Sequence, residues 1–200
     1  MTDAPPPGTE TFLMQASEQL QDGHLEEAVE TFSAALAMSP QDARALRGRG
    51  LAYLQLKRWA EAAANFEAAR DAAPEDPENW VDLAISLAMN NRIYPAIDVF
   101  EALLARQPDC LRGHLEFGLL QLRLGAVSKG REELQRALAC RPTLAQRRMV
   151  ESVLREQDKL DRKRYYRPDF DALRRQQSLA SWGQRLRAFF THSGGEKPKQ

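Results

Sequence analysis

Apolar and small residues recur at helical spacing through the first 142 residues, in blocks that repeat every 34 residues. Four prolines mark the period: Pro40, Pro74, Pro108 and Pro142. Twelve residues before each proline stand Ala28, Ala62, Ala96 and Gly130, and twenty-four before each stand Ala16, Gly50, Ala84 and Gly118. Eight residues before come Phe32, Phe66, Phe100 and Leu134, and five before come Ala35, Ala69, Leu103 and Ala137. The pattern predicts two antiparallel helices, A and B, in each block. Small residues let two helices approach, because a larger side chain would hold them apart. The Phe series fills the gap between one pair and the next, and its burial stabilises by about 1.5–3 kcal/mol per side chain. Proline cannot continue a helix, so it ends helix B. Asp42, Asp76 and Asp109 follow as helix-start signals, and Asp76-Pro77 reads as an N-cap followed by proline at the first helical position. Gly23, Lys57, Asn91 and Gly125 fall in the turn between the two helices of each block.

This arrangement resembles the tetratricopeptide repeat family over residues 9–142, as four repeats spanning 9–42, 43–76, 77–110 and 111–142. The second repeat carries Leu46, Gly50, Tyr53, Trp59, Ala62, Phe66, Ala69 and Pro74, and the third carries Trp80, Leu83, Ala84, Ala96, Phe100 and Pro108. The outer repeats depart from the pattern. Gln15 and Gln19 replace apolar residues in the first, and His114, Gln121 and Gly130 depart in the last. Terminal repeats have one face that no neighbour covers. The resemblance implies an all-α solenoid, a right-handed superhelix of antiparallel helix pairs. It also implies a function in protein–protein interaction.

In that family, ligands lie along the inner surface formed by the A helices. Positions 5, 9 and 12 of each repeat fall on that side, and residues beside them complete the face. The expected groove residues are Leu13, Met14, Arg47, Leu51, Leu54, Val81, Ile85, Met89, Leu115 and Leu119. Arg44, Arg47, Glu78, Asp82, Glu116 and Arg123 are expected as charges near its lip. Some of the apolar residues are core between neighbouring A helices. As a set, exposed apolar side chains of this kind make an interaction patch for an apolar helix or extended peptide. The clamp by which some relatives hold the carboxylate of a chaperone tail is not expected. Its cationic and amide positions are Leu13, Ser17, Gly48, Glu78 and Asp82 in this chain.

Composition changes the picture at the C-terminal end. The chain has 28 basic and 28 acidic residues and a formal net charge of zero. Residues 1–142 carry 14 basic and 21 acidic groups, however, and residues 143–200 carry 14 basic and 7 acidic. An acidic body is joined to a basic tail. Residues 143–167 read as one helix, with Leu144, Met149, Val150, Val153, Leu154 and Leu160 at helical spacing and a capping role on the last repeat. Lys163, Arg164 and Arg167 with Tyr165 and Tyr166 end it as a basic and aromatic patch. Pro168 stops it. Residues 169–191 read as a short basic amphipathic helix, with Leu179, Trp182, Leu186, Phe189 and Phe190 on one face and Arg174, Arg185 and Arg187 on the other. Three roles compete for it: packing on the repeats or in their groove, binding a partner, and lying on an anionic membrane surface. Residues 1–8 and 192–200 read as disordered ends.

No stretch of 18 apolar residues predicts a spanning helix, and the start lacks the charged and apolar regions of a secretory signal. A cytoplasmic location, with a peripheral membrane location as variant, is the expectation. Cys110 and Cys140 read as reduced thiols. His24, His114 and His192 have no ligand pair at metal spacing, and no phosphate loop or nucleophile motif occurs. No catalysis, cofactor or metal is expected, and the acidic body argues against nucleic acid. The expected function is a non-catalytic scaffold or adaptor that holds a protein partner in the groove. A chaperone for an unfolded client and a membrane organiser working through residues 169–190 are the alternatives.

Overall fold

The computed structural model describes residues 8–165, with side chains as far as residue 161. The expectations for residues 1–7 and 166–200, the amphipathic segment with Leu179, Trp182, Leu186, Phe189 and Phe190 among them, lie outside the described residues. Nine helices and no strand occur among the described residues: α1 (Thr9–Asp22), α2 (Leu25–Met38), α3 (Ala43–Gln55), α4 (Trp59–Ala72), α5 (Pro77–Met89), α6 (Ile93–Arg106), α7 (Leu111–Arg123), α8 (Val127–Ala139) and α9 (Leu144–Tyr165). The first eight form four antiparallel pairs, so the fold is an all-α solenoid of repeats. The described residues divide into two units, one up to residue 150 and one from residue 151. No helix among the described residues is long and apolar enough to cross a membrane.

Within the first unit the 34-residue period is visible in three dimensions. The small residues are all buried, and Ala16, Ala28, Ala62, Ala84 and Ala96 have no exposed surface. Phe32, Phe66, Phe100 and Leu134 are the large side chains between them, again wholly or almost wholly buried. Phe66 and Phe100 share one core with Val81, Leu83, Phe117 and Leu120, while Phe32 anchors a second with Leu13, Leu36 and Leu46. The rings of Phe100 and Phe117 stack at 5.2 Å, joining the third repeat to the fourth.

The turns obey the same period. Gly23, Lys57, Asn91 and Gly125 all adopt positive φ, between 60° and 83°. The A–B turn thus requires a left-handed residue, a conformation that costs a residue bearing a Cβ about 1 kcal/mol or more. Two repeats supply glycine and two tolerate Lys or Asn. Helix starts follow the period more strictly than the sequence pattern predicts. Asp42 accepts the N–H groups of Arg44 and Ala45, and Asp76 accepts that of Glu78. In the third instance the cap is Cys110, whose Sγ accepts the Gly113 N–H at 3.3 Å, and not Asp109. The cap stands two residues after the proline at Asp42 and Asp76, and two residues after Pro108 is Cys110. Burial pushes the Cys110 thiol pKa up, which keeps the cap uncharged.

His114 has a specific job at the position where the third repeat has Trp80. The Trp80 indole donates to the Pro74 carbonyl at 2.9 Å, and His114 Nε2 donates to the Pro108 carbonyl at 2.7 Å, 34 residues on. The other ring nitrogen lies 2.7 Å from a Glu133 oxygen, with both side chains buried. In α9, Val150 is fully buried at the end of the first unit, whereas Leu144 and Met149 are exposed.

Candidate interaction groove

The A helices α1, α3, α5 and α7 stand in sequence with their partners α2, α4, α6 and α8 behind them. Two environments develop on the A-helix side. The first is an open groove of about 840 Å³ between α1 and α3, with Ala73 and Asp76 also in its wall. Its apolar lining comes from Leu13, Met14, Leu20, Leu51 and the edge of Phe32. Gly48 lies on its floor, and a Cβ there would run into the Phe32 ring. The absence of a side chain at Gly48 therefore sets how closely α3 rides over α2. Met14 is 73 % exposed. A large apolar side chain so open to water beside further Leu residues is a surface with a use.

Of the ten expected groove residues, this groove brings together Leu13, Met14, Arg47 and Leu51. Leu54, Ile85 and Leu119 are half-buried, and Met89 is exposed. Leu115 and Leu13 are almost wholly buried, and Val81 has no exposed surface at all. Val81 packs with Phe66 and Phe100 in the core and offers nothing to a ligand.

The second environment is electrostatic. Arg47 Nε donates to Asp82 at 2.9 Å and its Nη2 to Glu78 at 3.0 Å. From the other side, Arg112 Nη2 donates to Asp82 at 2.6 Å and its Nη1 to Glu78. Two arginines from α3 and α7 thus clamp two carboxylates of α5. Asp82 is 2 % exposed. The expectation that Asp82 stands near the lip of the groove is corrected here: its carboxylate is enclosed between the Arg47 and Arg112 guanidiniums. It can lie there because both of its oxygens accept from guanidinium groups, and a buried carboxylate without such donors would be strongly disfavoured. Burial opposes the Arg112 charge, but Asp82 and Glu78 outweigh it and hold its pKa above the usual arginine value. Glu116, one turn after Arg112, has its carboxyl pushed up by burial, with Arg112 pulling the other way and Asp82 adding to the rise.

Reading single positions for groove character passed over the signal for this network. Position 2 of the four repeats reads Glu10, Arg44, Glu78 and Arg112, alternating in sign at the 34-residue period. Successive A helices place these side chains beside one another. Arg44 meets Glu10 at 2.9 Å and Asp42 at 3.1 Å at the exposed start of the row, and the Arg47–Glu78–Asp82–Arg112 cluster continues it. Among the described residues no group of three His, Cys, Asp or Glu side chains is placed to hold a metal ion.

Two family models, both described as tetratricopeptide repeat, match residues 13–77 and 53–115. The chain belongs to the tetratricopeptide repeat family. Repeats of this family are protein–protein interaction modules, and a scaffold for protein partners is what the chain is in kind. The fourth repeat runs on beyond residue 115 as α7 and α8, with the same Gly118, Gly130, Leu134 and Ala137 packing positions. Solved structures of similar fold include TTC0263, a thermophilic tetratricopeptide repeat protein of Thermus thermophilus, with 22 % identity and a TM-score of 0.65 over 77 % of this chain and 85 % of that one. MamA of Desulfovibrio magneticus RS-1 has 20 % identity and a TM-score of 0.61 over 78 % of this chain and 88 % of that one. YrrB, a tetratricopeptide repeat protein with an unusual peptide-binding site, has 19 % identity and a TM-score of 0.54 over 66 % and 68 %. At these identities the likeness is one of fold. No curated protein matches the chain.

Proposed function

We propose that the chain is a non-catalytic adaptor that holds a partner helix or extended peptide on the A-helix side, in the groove between α1 and α3. The observation that carries this reading is the open groove of about 840 Å³ with Met14 standing exposed beside Leu20 and Leu51. A folded chain gains nothing from an exposed methionine there, whereas a flexible thioether adapts to varied apolar surfaces. YrrB, which has the same fold, carries a peptide-binding site. Leu54, Ile85, Met89, Leu115 and Leu119 are read as lesser contributors on the later A helices, and Val81 as core. Residues 144–150 of α9, with Val150 buried, are read as the start of a cap on the fourth repeat.

The test is capture from lysate by the immobilised full chain, alongside a variant with Met14→Glu and Leu51→Glu. Circular dichroism establishes that the variant keeps its helices. Proteins retained by the unaltered chain and lost by the variant support the groove as the working site. Identical captured sets overturn it.

A further inference from the structure

We infer that the occupant of the α1–α3 groove is a basic amphipathic segment of a partner protein, one that presents apolar side chains to Leu13, Met14, Leu20 and Leu51 and carries Arg or Lys beside them. This deepens the groove reading and rests on it. The argument is charge complementarity. Four charged residues line the groove: Glu18, Arg44, Arg47 and Asp76. Both cations are already engaged. Arg44 faces two carboxylates, Glu10 and Asp42. Arg47 faces Glu78 and Asp82, which it shares with Arg112. The Arg44 cluster therefore carries one net negative charge and the Arg47–Arg112 cluster none. Among the described residues Glu18 has no bonded cation, and Asp76 accepts only the Glu78 N–H as a helix cap. Among the described residues, groove and first surroundings sum to about three negative charges, with no lining guanidinium left unpaired to meet an anion.

An acidic segment would have to break the Arg44 or Arg47 pairs before any cation could receive it, and would meet Glu18 and Asp76 uncompensated. A basic segment meets those two carboxylates with no internal bond to undo. Charge of this kind steers encounter and selects among apolar ligands more than it adds raw affinity, and it fades with salt.

The test uses the full chain and two fluorescein-labelled 18-residue helical peptides. They share one Leu and Phe face. One carries Arg on the flanks and the other carries Glu at the same positions. Binding is followed by fluorescence polarisation at 50 mM and 300 mM NaCl, and a Met14→Gln variant defines the part that belongs to the groove. The expected result is a Kd for the Arg peptide at least tenfold below that for the Glu peptide. Glu18→Lys should narrow the difference about threefold, and 300 mM NaCl should narrow it further. Equal affinity, or preference for the Glu peptide, in binding that Met14→Gln weakens would overturn the basic partner while leaving the groove in place. If neither peptide binds, or if Met14→Gln changes nothing, the groove reading falls with it. Because Met14 is largely exposed, its replacement leaves the fold intact.

Discussion

The two stretches of the A-helix side are made from the same repeat positions and have opposite characters. Between α1 and α3, position 6 is Met14 and then Gly48, and the space is left open and apolar. Between α5 and its neighbours, position 6 is Asp82, and the space is filled by Arg47 from one side and Arg112 from the other. A repeat fold thus separates two tasks along one surface. The middle is fixed by bonds the chain makes to itself, and the end is left for something else. The ion pairs teach the same lesson by exposure. Arg44–Glu10 is exposed on both sides, whereas Asp82 is enclosed, and pairs of the first kind contribute little while breaking the second kind is costly.

Four substitutions would break or sharpen this contrast. Asp82→Ala should have the largest effect, a loss of about 3 kcal/mol in denaturant unfolding, because each of two partly buried guanidiniums loses one of its two carboxylate partners. Gly48→Val attacks the open end instead. Its side chain runs into Phe32, and overpacking of this kind costs about 2 kcal/mol. It should also close part of the groove and reduce partner capture. Lys57→Gly lies in a turn outside both regions and should add about 1 kcal/mol, since Lys57 has φ of 60° and glycine adopts that conformation without strain. Glu10→Gln should change stability by only about 0.3 kcal/mol, the value of an exposed pair.

The two regions should also differ in their response to pH. Glu116 beside the ion-paired middle has a folded pKa raised chiefly by burial. A carboxyl of this kind holds its proton more tightly in the folded chain. Its contribution favours folding below the usual carboxylate range and is lost as pH rises through the raised folded value. Glu116→Gln should therefore stabilise the chain at pH 7 and remove that part of the slope between acid and neutral pH. Urea titrations at pH 4.5, 6 and 7.5 would measure it, and an unchanged slope would mean that Glu116 is solvated in the fold.

Much of the fold could be read from the sequence, because the period writes itself in residues with narrow tolerances. Prolines end helices, Ala and Gly mark close approach, and Phe32, Phe66 and Phe100 fill identical gaps. The site was less legible. Helical spacing placed Val81 on the inner side of α5, but spacing says which way a residue points and not what stands in front of it. In the structure that space belongs to the core around Phe66 and Phe100. The enclosure of Asp82 was missed because it depends on the reach of Arg47 and Arg112 across neighbouring repeats. A wheel drawn for one helix does not contain that information. The alternation Glu10, Arg44, Glu78, Arg112 did contain it, once the repeats are aligned by charge as well as by size. Cys110 escaped notice as a cap because Asp109, a better cap by composition, stands one residue too early. His114 looked like a departure from the repeat, yet its Nε2 reproduces the hydrogen bond made by Trp80.

The measurement that bears most directly on the central claim is site-specific photo-crosslinking in the full chain. A photoreactive phenylalanine analogue would be placed at Met14 in the groove and, separately, at the exposed Glu101 on α6. A groove that holds a partner predicts covalent adducts from Met14, abolished by Leu51→Glu, with none of the same mass from Glu101. Adducts from Glu101 alone, or equal adducts from both positions, would contradict it.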